Sequence, residues 1–359
     1  MSPSDGCRTE AVEATGLGAR WFGRRGSLRR AISVWAGLAG LACVIFLLSL
    51  ALGSVPIRPS AVLSALLHPA ASSDWSAQIV RTLRLPRAVV AFSCGGLLAL
   101  SGALLQVLLR NPLADPYVLG VSGGAAGFAL TAILLAWPAW SVDASAFGGA
   151  LVAIALVSLI GRADLRAGGG DASPRLLLGG VVLSSGWAAL ITLLLALVPD
   201  GTLRSMVFWL AGDLGGASHP LLPTLALGAA LLAILPDAPR LNAALRGNRL
   251  GFSVGVAIAP LRLRVYLIAS FATAAAVSSA GTVGFVGLIV PHLLRYLFGN
   301  DQRMLLPACV LGGGAAVMGA DLLARTVVAP AQLPVGAVTA LVGVPLFLWI
   351  LARRSHGRG

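Results

Sequence analysis

The sequence predicts an all-α polytopic membrane protein of about ten transmembrane helices with both termini in the cytoplasm. Three observations carry this. Of 359 residues, 57% are hydrophobic and only 11% charged, with a mean hydropathy of +0.90. Soluble chains carry about 25% charged residues, so too little polar surface exists here to cover even one of the domains this length allows. The apolar residues fall in runs close to the roughly 20 residues that cross a bilayer core as a helix. Finally, the 26 basic residues are all arginine and fall mostly in alternate loops, the pattern that keeps basic loops in the cytoplasm.

The spans are expected in order. Ala31–Leu52, preceded by arginines, is 22 residues long and exceeds a signal peptide's apolar core of about 7 to 15, so it reads as a retained anchor. Ala88–Leu109 follows an outer segment, Gly53–Arg87, that includes an amphipathic stretch from Ser60 to Leu67. Val118–Trp137 holds Gly123-Gly124-Ala125-Ala126-Gly127, then come Ala144–Ile160 and Leu176–Val198. The sixth to eighth spans, Leu221–Leu235, Val265–Ala280 and Val283–Phe298, are short. Leu305–Leu323 carries Gly312-Gly313-Gly314, and Val335–Leu351, also short, closes the set. With the N-terminus inside, 20 of 26 arginines lie on the cytoplasmic side. The six outside are Arg58, Arg81, Arg84, Arg87, Arg204 and Arg325, and a missed span would scramble this split. The 44 glycines read as packing residues, because small residues let helices approach closely where lipid supplies no hydrophobic drive. Pro112, Pro116, Pro223, Pro291 and Pro345 are expected to break or kink helices.

Composition also excludes chemistries. The arginines stand between apolar runs and form no basic domain for nucleic acid. Cys7, Cys43, Cys94 and Cys309 lack paired spacing, which leaves disulfide frameworks and zinc sites unsupported. Without lysine, the chain cannot build a P-loop, so any ATP hydrolysis belongs to another polypeptide. Gln106, His292, Arg295 and Asp321 lie in or at the ends of spans, where charge is costly. They read as interhelical hydrogen bonds rather than a proton relay, with Arg295 and Arg325 snorkelling from span ends. The inner loop, Pro236–Arg264, mixes arginines with Leu241, Leu245, Leu250, Phe252 and Val254. Two readings are open for it: a lipid-headgroup patch, or a helix pair pressed into a partner's groove.

The order of motifs resembles one family along roughly Ala31 to Arg354. Arg84-Leu85-Pro86-Arg87 is followed by Ser101-Gly102, Gln106, Arg110-Asn111-Pro112-Leu113-Ala114-Asp115-Pro116 and Leu119-Gly120-Val121-Ser122-Gly123-Gly124-Ala125. Later come Trp209-Leu210-Ala211-Gly212, then Gly284-Phe285-Val286-Gly287-Leu288-Ile289-Val290-Pro291-His292, Ala320-Asp321 with Ala324-Arg325, and Leu333-Pro334-Val335-Gly336. The chain resembles the iron-siderophore and vitamin B12 (FecCD-type) importer permeases, the ten-helix membrane subunits of type II binding-protein-dependent ABC importers. The resemblance implies a transport subunit of the bacterial cytoplasmic membrane, with no catalytic residue, cofactor or metal of its own. Residues 31–354 would form one permease domain, with 1–30 an arginine-rich cytoplasmic tail, 236–264 the coupling loop and 355–359 a short tail.

The implied partners are two cytoplasmic ABC ATPases, a substrate-binding protein on the outer face, a second permease copy or paralogue, and membrane lipid. The resemblance places binding-protein docking on Arg84, Arg87 and Arg325. It places ATPase coupling on Asn242, Leu245, Gly247, Asn248, Arg249, Phe252, Val254 and Gly255; here Asn248 and Arg249 stand where relatives carry an acidic residue after the first glycine. The substrate path would follow the fifth and tenth spans, with Asn111, Pro112, Leu113, Ser173 and Pro174 near the inner mouth; ordinary capping and kinking by Asn, Ser and Pro is the equal alternative. The expected cargo is a ferric siderophore, with haem or cobalamin the alternative inside the family. A proton-coupled secondary transporter is the reading outside it, short of a mid-membrane carboxylate.

Overall fold

The computed structural model describes residues 25–67, 75–162, 174–217, 219–246 and 255–356. Most of the arginine-rich tail, the last three residues and part of the inner loop lie outside these. Among the described residues, seven helices have the length and apolarity to cross a membrane, and three shorter apolar helices accompany them. Together they match the ten expected spans, with shifted boundaries.

Helix α1 (Arg25–Ala51) leads through a short helix α2 (Pro59–Leu67) to α3 (Trp75–Ile79), which runs on without a break through a π turn, Val80–Arg84, into α4 (Leu85–Leu108). The expectation that Arg84 to Arg87 close an outer loop is therefore corrected: they lie inside one helix running from Trp75 to Leu108. Pro86 explains the π turn. It has no N–H to offer the carbonyl four residues back, so the helix widens and the Leu85 N–H donates to the Val80 carbonyl. After a 3-10 turn at Pro116–Leu119 come α5 (Val121–Leu134), α6 (Ala139–Ile160), α7 (Pro174–Leu197) and α8 (Asp200–Leu210). Gly120, in the left-handed region at φ 73°, separates the 3-10 turn from α5, a conformation that favours glycine.

Helix α9 (Leu221–Ile234) passes through a 3-10 turn at Leu235–Asp237 into α10 (Ala238–Leu245). Then follow α11 (Ile258–Ala280), α12 (Val286–Phe298), α13 (Gln302–Thr326) and α14 (Val335–His356). The seventh span thus starts before Val265, so that Arg262 and Arg264 sit in its first turns rather than in the inner loop. The eighth starts after Val283, because Gly281 to Phe285 form a non-helical approach in which Gly281 and Phe285 both take positive φ.

The core is built around α4, which packs against α13, α11, α12 and α9. Small residues set these distances. A Cβ on Gly95 would overlap the Gly313 carbonyl, and one on Gly313 the Gly95 carbonyl, so the backbones of α4 and α13 touch. Gly102 meets Gly287 of α12 in the same way, and Gly124 of α5 meets Gly149 of α6. Polar side chains inside the bundle bond across or along helices: Ser101 to the Ala269 carbonyl (2.7 Å), Ser93 with Thr224 (2.9 Å), and the Trp35 indole to the Met304 carbonyl (3.0 Å). With no water in the hydrocarbon core, each such group needs an internal partner.

These contacts predict that Gly95→Ala and Gly313→Ala each destabilise the bundle by about 1–3 kcal/mol in thermal unfolding in detergent. Gly37→Ala and Gly40→Ala on α1, where a Cβ meets nothing within 4 Å, should stay within about 0.5 kcal/mol of the parent.

Candidate functional site

Two groups of polar residues occupy opposite ends of α13. At its C-terminal end the three arginines Arg84, Arg87 and Arg325 converge with Asp321. Arg87 lies eight residues before the contact glycine Gly95 on α4, and Asp321 eight residues after Gly313 on the antiparallel α13, so the register of the glycine contact brings the two side chains level. Arg87 Nε and one terminal nitrogen both donate to Asp321 Oδ1, at 2.9 and 2.8 Å, and its other terminal nitrogen reaches Gln332 Oε1 at 2.9 Å. Arg325, one helical turn on from Asp321, pairs with Oδ2 at 3.0 Å and donates to the Ser49 hydroxyl on α1 at 2.7 Å. Arg84 is held by backbone carbonyls at the end of α1, donating to Leu50 (2.8 Å) and Ala51 (2.9 Å) and also to Val55.

The cluster carries three guanidinium charges against one carboxylate, and a fully buried carboxylate of this kind is stabilised by multiple charged donors. All three arginines are under a tenth exposed and Asp321 is fully buried. The expectation that Arg325 snorkels is corrected. Lipid-facing snorkelling serves a charge without a partner, whereas these find partners inside the protein.

At the other end of α13, Asn242 of α10 bonds the helix start twice. Its amide nitrogen donates to Asp301 Oδ1 at 2.7 Å, and its oxygen accepts from the Gln302 N–H at 2.9 Å. Asp301 also caps α13 by accepting from the Arg303 N–H at 3.1 Å. Arg110, at the end of α4, donates to the Ala244 carbonyl at 3.2 Å. Asp237, fully buried before α10, accepts from Arg240 (2.7 Å) and pairs with Arg264 (3.0 Å). Thus α10 is fastened to α4, α11 and α13, while Leu245 packs against the core and Gly255 is exposed at φ 76°. Gly247, Asn248, Arg249, Phe252 and Val254 lie outside the described residues.

The presumed inner-mouth residues do not form one cluster with these. Asn111 Oδ1 accepts from the Leu113 N–H at 2.9 Å, an Asx turn that carries Pro112 at its bend, and Leu113 is exposed. Beside this turn, burial pushes the Asp115 carboxyl above its ordinary range, opposed by the hydrogen bond from the Tyr117 N–H. Pro174 opens α7, and Ser173 lies outside the described residues. Within the bundle Gln106 accepts from Arg295 (2.9 Å) and donates to the Leu288 carbonyl (3.2 Å), and the His292 ring stands edge-on to Phe347. Those of Gln106 and His292 are interhelical contacts of the kind the sequence suggested, whereas Arg295, expected to snorkel, turns inward to Gln106.

Sequence reasoning missed Ser49, Gln332 and Asp237. Ser49 and Gln332 carry no local signal. Asp237 does: it is the one acidic residue among the arginines of the inner loop.

A family model described as the FecCD transport family matches residues 41–353. The hemin transport system permease protein HmuU of Yersinia pestis is 36% identical over 88% of this chain and 95% of its own length. The vitamin B12 import system permease protein BtuC of Klebsiella pneumoniae is 35% identical over 90% and 94%. A solved structure described as a metal-chelate type ABC transporter in an inward-facing conformation superposes with a TM-score of 0.78, at 30% identity, covering 89% of this chain and 99% of that one.

Removing the shared carboxylate should expose its role. Asp321→Ala leaves buried guanidiniums without their anion and is expected to cost about 3–5 kcal/mol in unfolding, read by thermal denaturation in detergent. The combined Arg87→Met, Asp321→Leu, Arg325→Met variant should recover most of that loss, because buried ion clusters replaced whole by apolar residues are often neutral in stability.

Proposed function

The chain belongs to the FecCD transport family as a multi-pass ABC importer permease of the bacterial cytoplasmic membrane, and we propose that it moves a metal chelate, delivered by an outer binding protein, into the cytoplasm. The observation that carries the reading is the placement of an arginine cluster and a fastened amphipathic helix, α10, at opposite ends of α13, about 35 Å apart by helix geometry. An acidic surface suits the first and an ATPase groove the second.

Docking falls on Arg84, Arg87 and Arg325. In the isolated protomer these are covered, so docking exchanges some of their present acceptors, Gln332 and the α1 carbonyls, for carboxylates of the binding protein. ATPase coupling falls on α10 and the loop after it, including Asn242, Leu245, Gly247, Asn248, Arg249, Phe252, Val254 and Gly255. A second permease copy would cover part of the apolar surface of α7 and α14, where Leu178, Val182, Leu341 and Leu348 are each more than half exposed. The pathway then runs between copies, with Asn111, Pro112, Leu113, Ser173 and Pro174 near its inner mouth. A ferric siderophore is the cargo the motifs suggest. The relatives named for hemin and vitamin B12 support a metal tetrapyrrole as strongly.

Charge reversal tests docking. Arg84→Glu, Arg87→Glu and Arg325→Glu should each weaken binding-protein association by about tenfold, about 1.4 kcal/mol, with a larger effect at low salt, while the ATPases stay attached. Arg58→Glu, an exposed arginine in the connection after α1, should change little; unchanged docking in all three cluster variants removes the assignment.

Uptake tests the cargo. A deletion strain and its complemented partner are compared for labelled ferric siderophore, haem and cobalamin under iron limitation. Loss of one in the deletion, restored by the gene, identifies the chelate. Normal uptake of all three would count against the chelate reading.

A further inference from the structure

Three non-helical stretches cross inside the bundle: the residues just after α8, the approach from Gly281 to Phe285 after α11, and the connection that leads into α14. Their backbones touch. A Cβ on Gly336 would overlap the carbonyls of Ala211 and Thr282, and one on Gly281 the carbonyl of Trp209, so the crossing depends on glycine's missing side chain. Gly212, at φ 81°, offers its carbonyl to the Val335 N–H at 2.9 Å, and the Thr282 hydroxyl donates to the Leu210 carbonyl. The approach after α11 is also held by Tyr117, whose hydroxyl accepts from the Val283 N–H and donates to the Val283 carbonyl, both at 2.9 Å.

Residues 332–336 form a strap from the arginine cluster to this crossing. Gln332 accepts from Arg87 at 2.9 Å, the Leu333 N–H donates to the Ala324 carbonyl of α13 at 3.0 Å, and Val335 makes the Gly212 contact. From Gln332 to Val335 the chain reaches about 10 Å at most, and Pro334 fixes one torsion on the way. A displacement at one end therefore reaches the other. The bonds on Arg87 are unequal, because Asp321 holds it through two charged contacts while Gln332 offers a neutral oxygen from an exposed side chain. A carboxylate brought up by a partner displaces the amide first, since charge-assisted hydrogen bonds are about twice as strong as neutral ones.

We propose that the strap is a docking-sensitive latch, with Gln332 as the positioning residue through which docking opens the pathway. While Gln332 holds Arg87, the start of α14 is kept against Gly212 and Thr282. When a carboxylate of the outer binding protein takes the place of Gln332 on Arg87, the strap slackens and α14 parts from the ends of α8 and α11. The assignment rests on the importer reading and adds to it a route from the docking surface to the helices.

The test follows hydrogen exchange of the Val335 amide in the assembled permease–ATPase complex in lipid nanodiscs, with the substrate-binding protein that co-purifies with the complex as the docking probe. Val335 opens α14, so its N–H has no partner within the helix, and its protection reports the Gly212 contact. Docking should speed its exchange by about tenfold, the worth of one hydrogen bond. Gln332→Ala should exchange about tenfold faster than the parent before any docking, and docking should add little more. Gln332→Glu gives Arg87 a charged partner, so it should keep Val335 protected and need about tenfold more binding protein to release it. A merely structural side chain would lose protection in both variants. Thermal melting of each verifies the fold. Unchanged protection in Gln332→Ala, or equal loss in Gln332→Glu, overturns the proposal. Docking that leaves Val335 protected in the parent removes the latch alone, whereas a complex to which no binding protein docks, loaded or empty, removes the importer reading with it.

Discussion

The backbone contact between α4 and α13 at Gly95 and Gly313 is the constraint on which the rest of the bundle depends. In lipid, helices gain little from burying apolar side chains against one another, since lipid is equally apolar, and association rests on close van der Waals contact and buried hydrogen bonds. Two facing glycines permit the closest contact available. Because the helices are antiparallel, the contact also fixes which residues are level on either side of it. It sets Arg87 against Asp321, each eight residues from the contact on its own helix, and a shift of one residue would turn one partner off the shared face.

From that register the polar organisation follows. Asp321 offers two oxygens; Arg87 hydrogen-bonds one and Arg325 forms an ion pair with the other, so a charge that lipid would penalise heavily lies at the centre of a paired cluster. The end of α1 closes over the result, because its last carbonyls are the acceptors Arg84 needs. At the opposite end, the start of α13 has N–H groups with no partner within the helix, and Asp301 and Asn242 supply acceptors for two of them. One helix thus touches both the cluster and α10. A displacement of α13 along its axis would alter both sets of bonds together, which is a physical basis for communication between an outer partner and an inner one.

The span count was legible because bilayer thickness imposes a length and an apolarity on each segment, and both are properties of the chain itself. Orientation was legible for a similar reason, since arginine asymmetry is a local property of loops. Boundaries were less so. The run from Trp75 to Leu108 was divided too late because Arg81, Arg84 and Arg87 look like the residues of a polar loop until Asp321, 234 positions from Arg87, is placed beside them. The same holds for Arg264, which pairs with Asp237 in the turn before α10: both lie in the stretch read as one inner loop, and only the packing shows that Arg264 belongs to the first turns of α11.

The sequence by itself therefore determined that this chain lives in a membrane, how many times it crosses, which side its arginines favour and which family it resembles. Those properties are set by composition and by spacing along the chain. Tertiary structure decided which arginines are buried, that one carboxylate serves two of them, that Asn242 fastens α10 to α13, and that the strap from Gln332 to Gly336 joins Arg87 to Gly212. Each of these joins residues far apart in sequence, and only the packing of whole helices sets their distances.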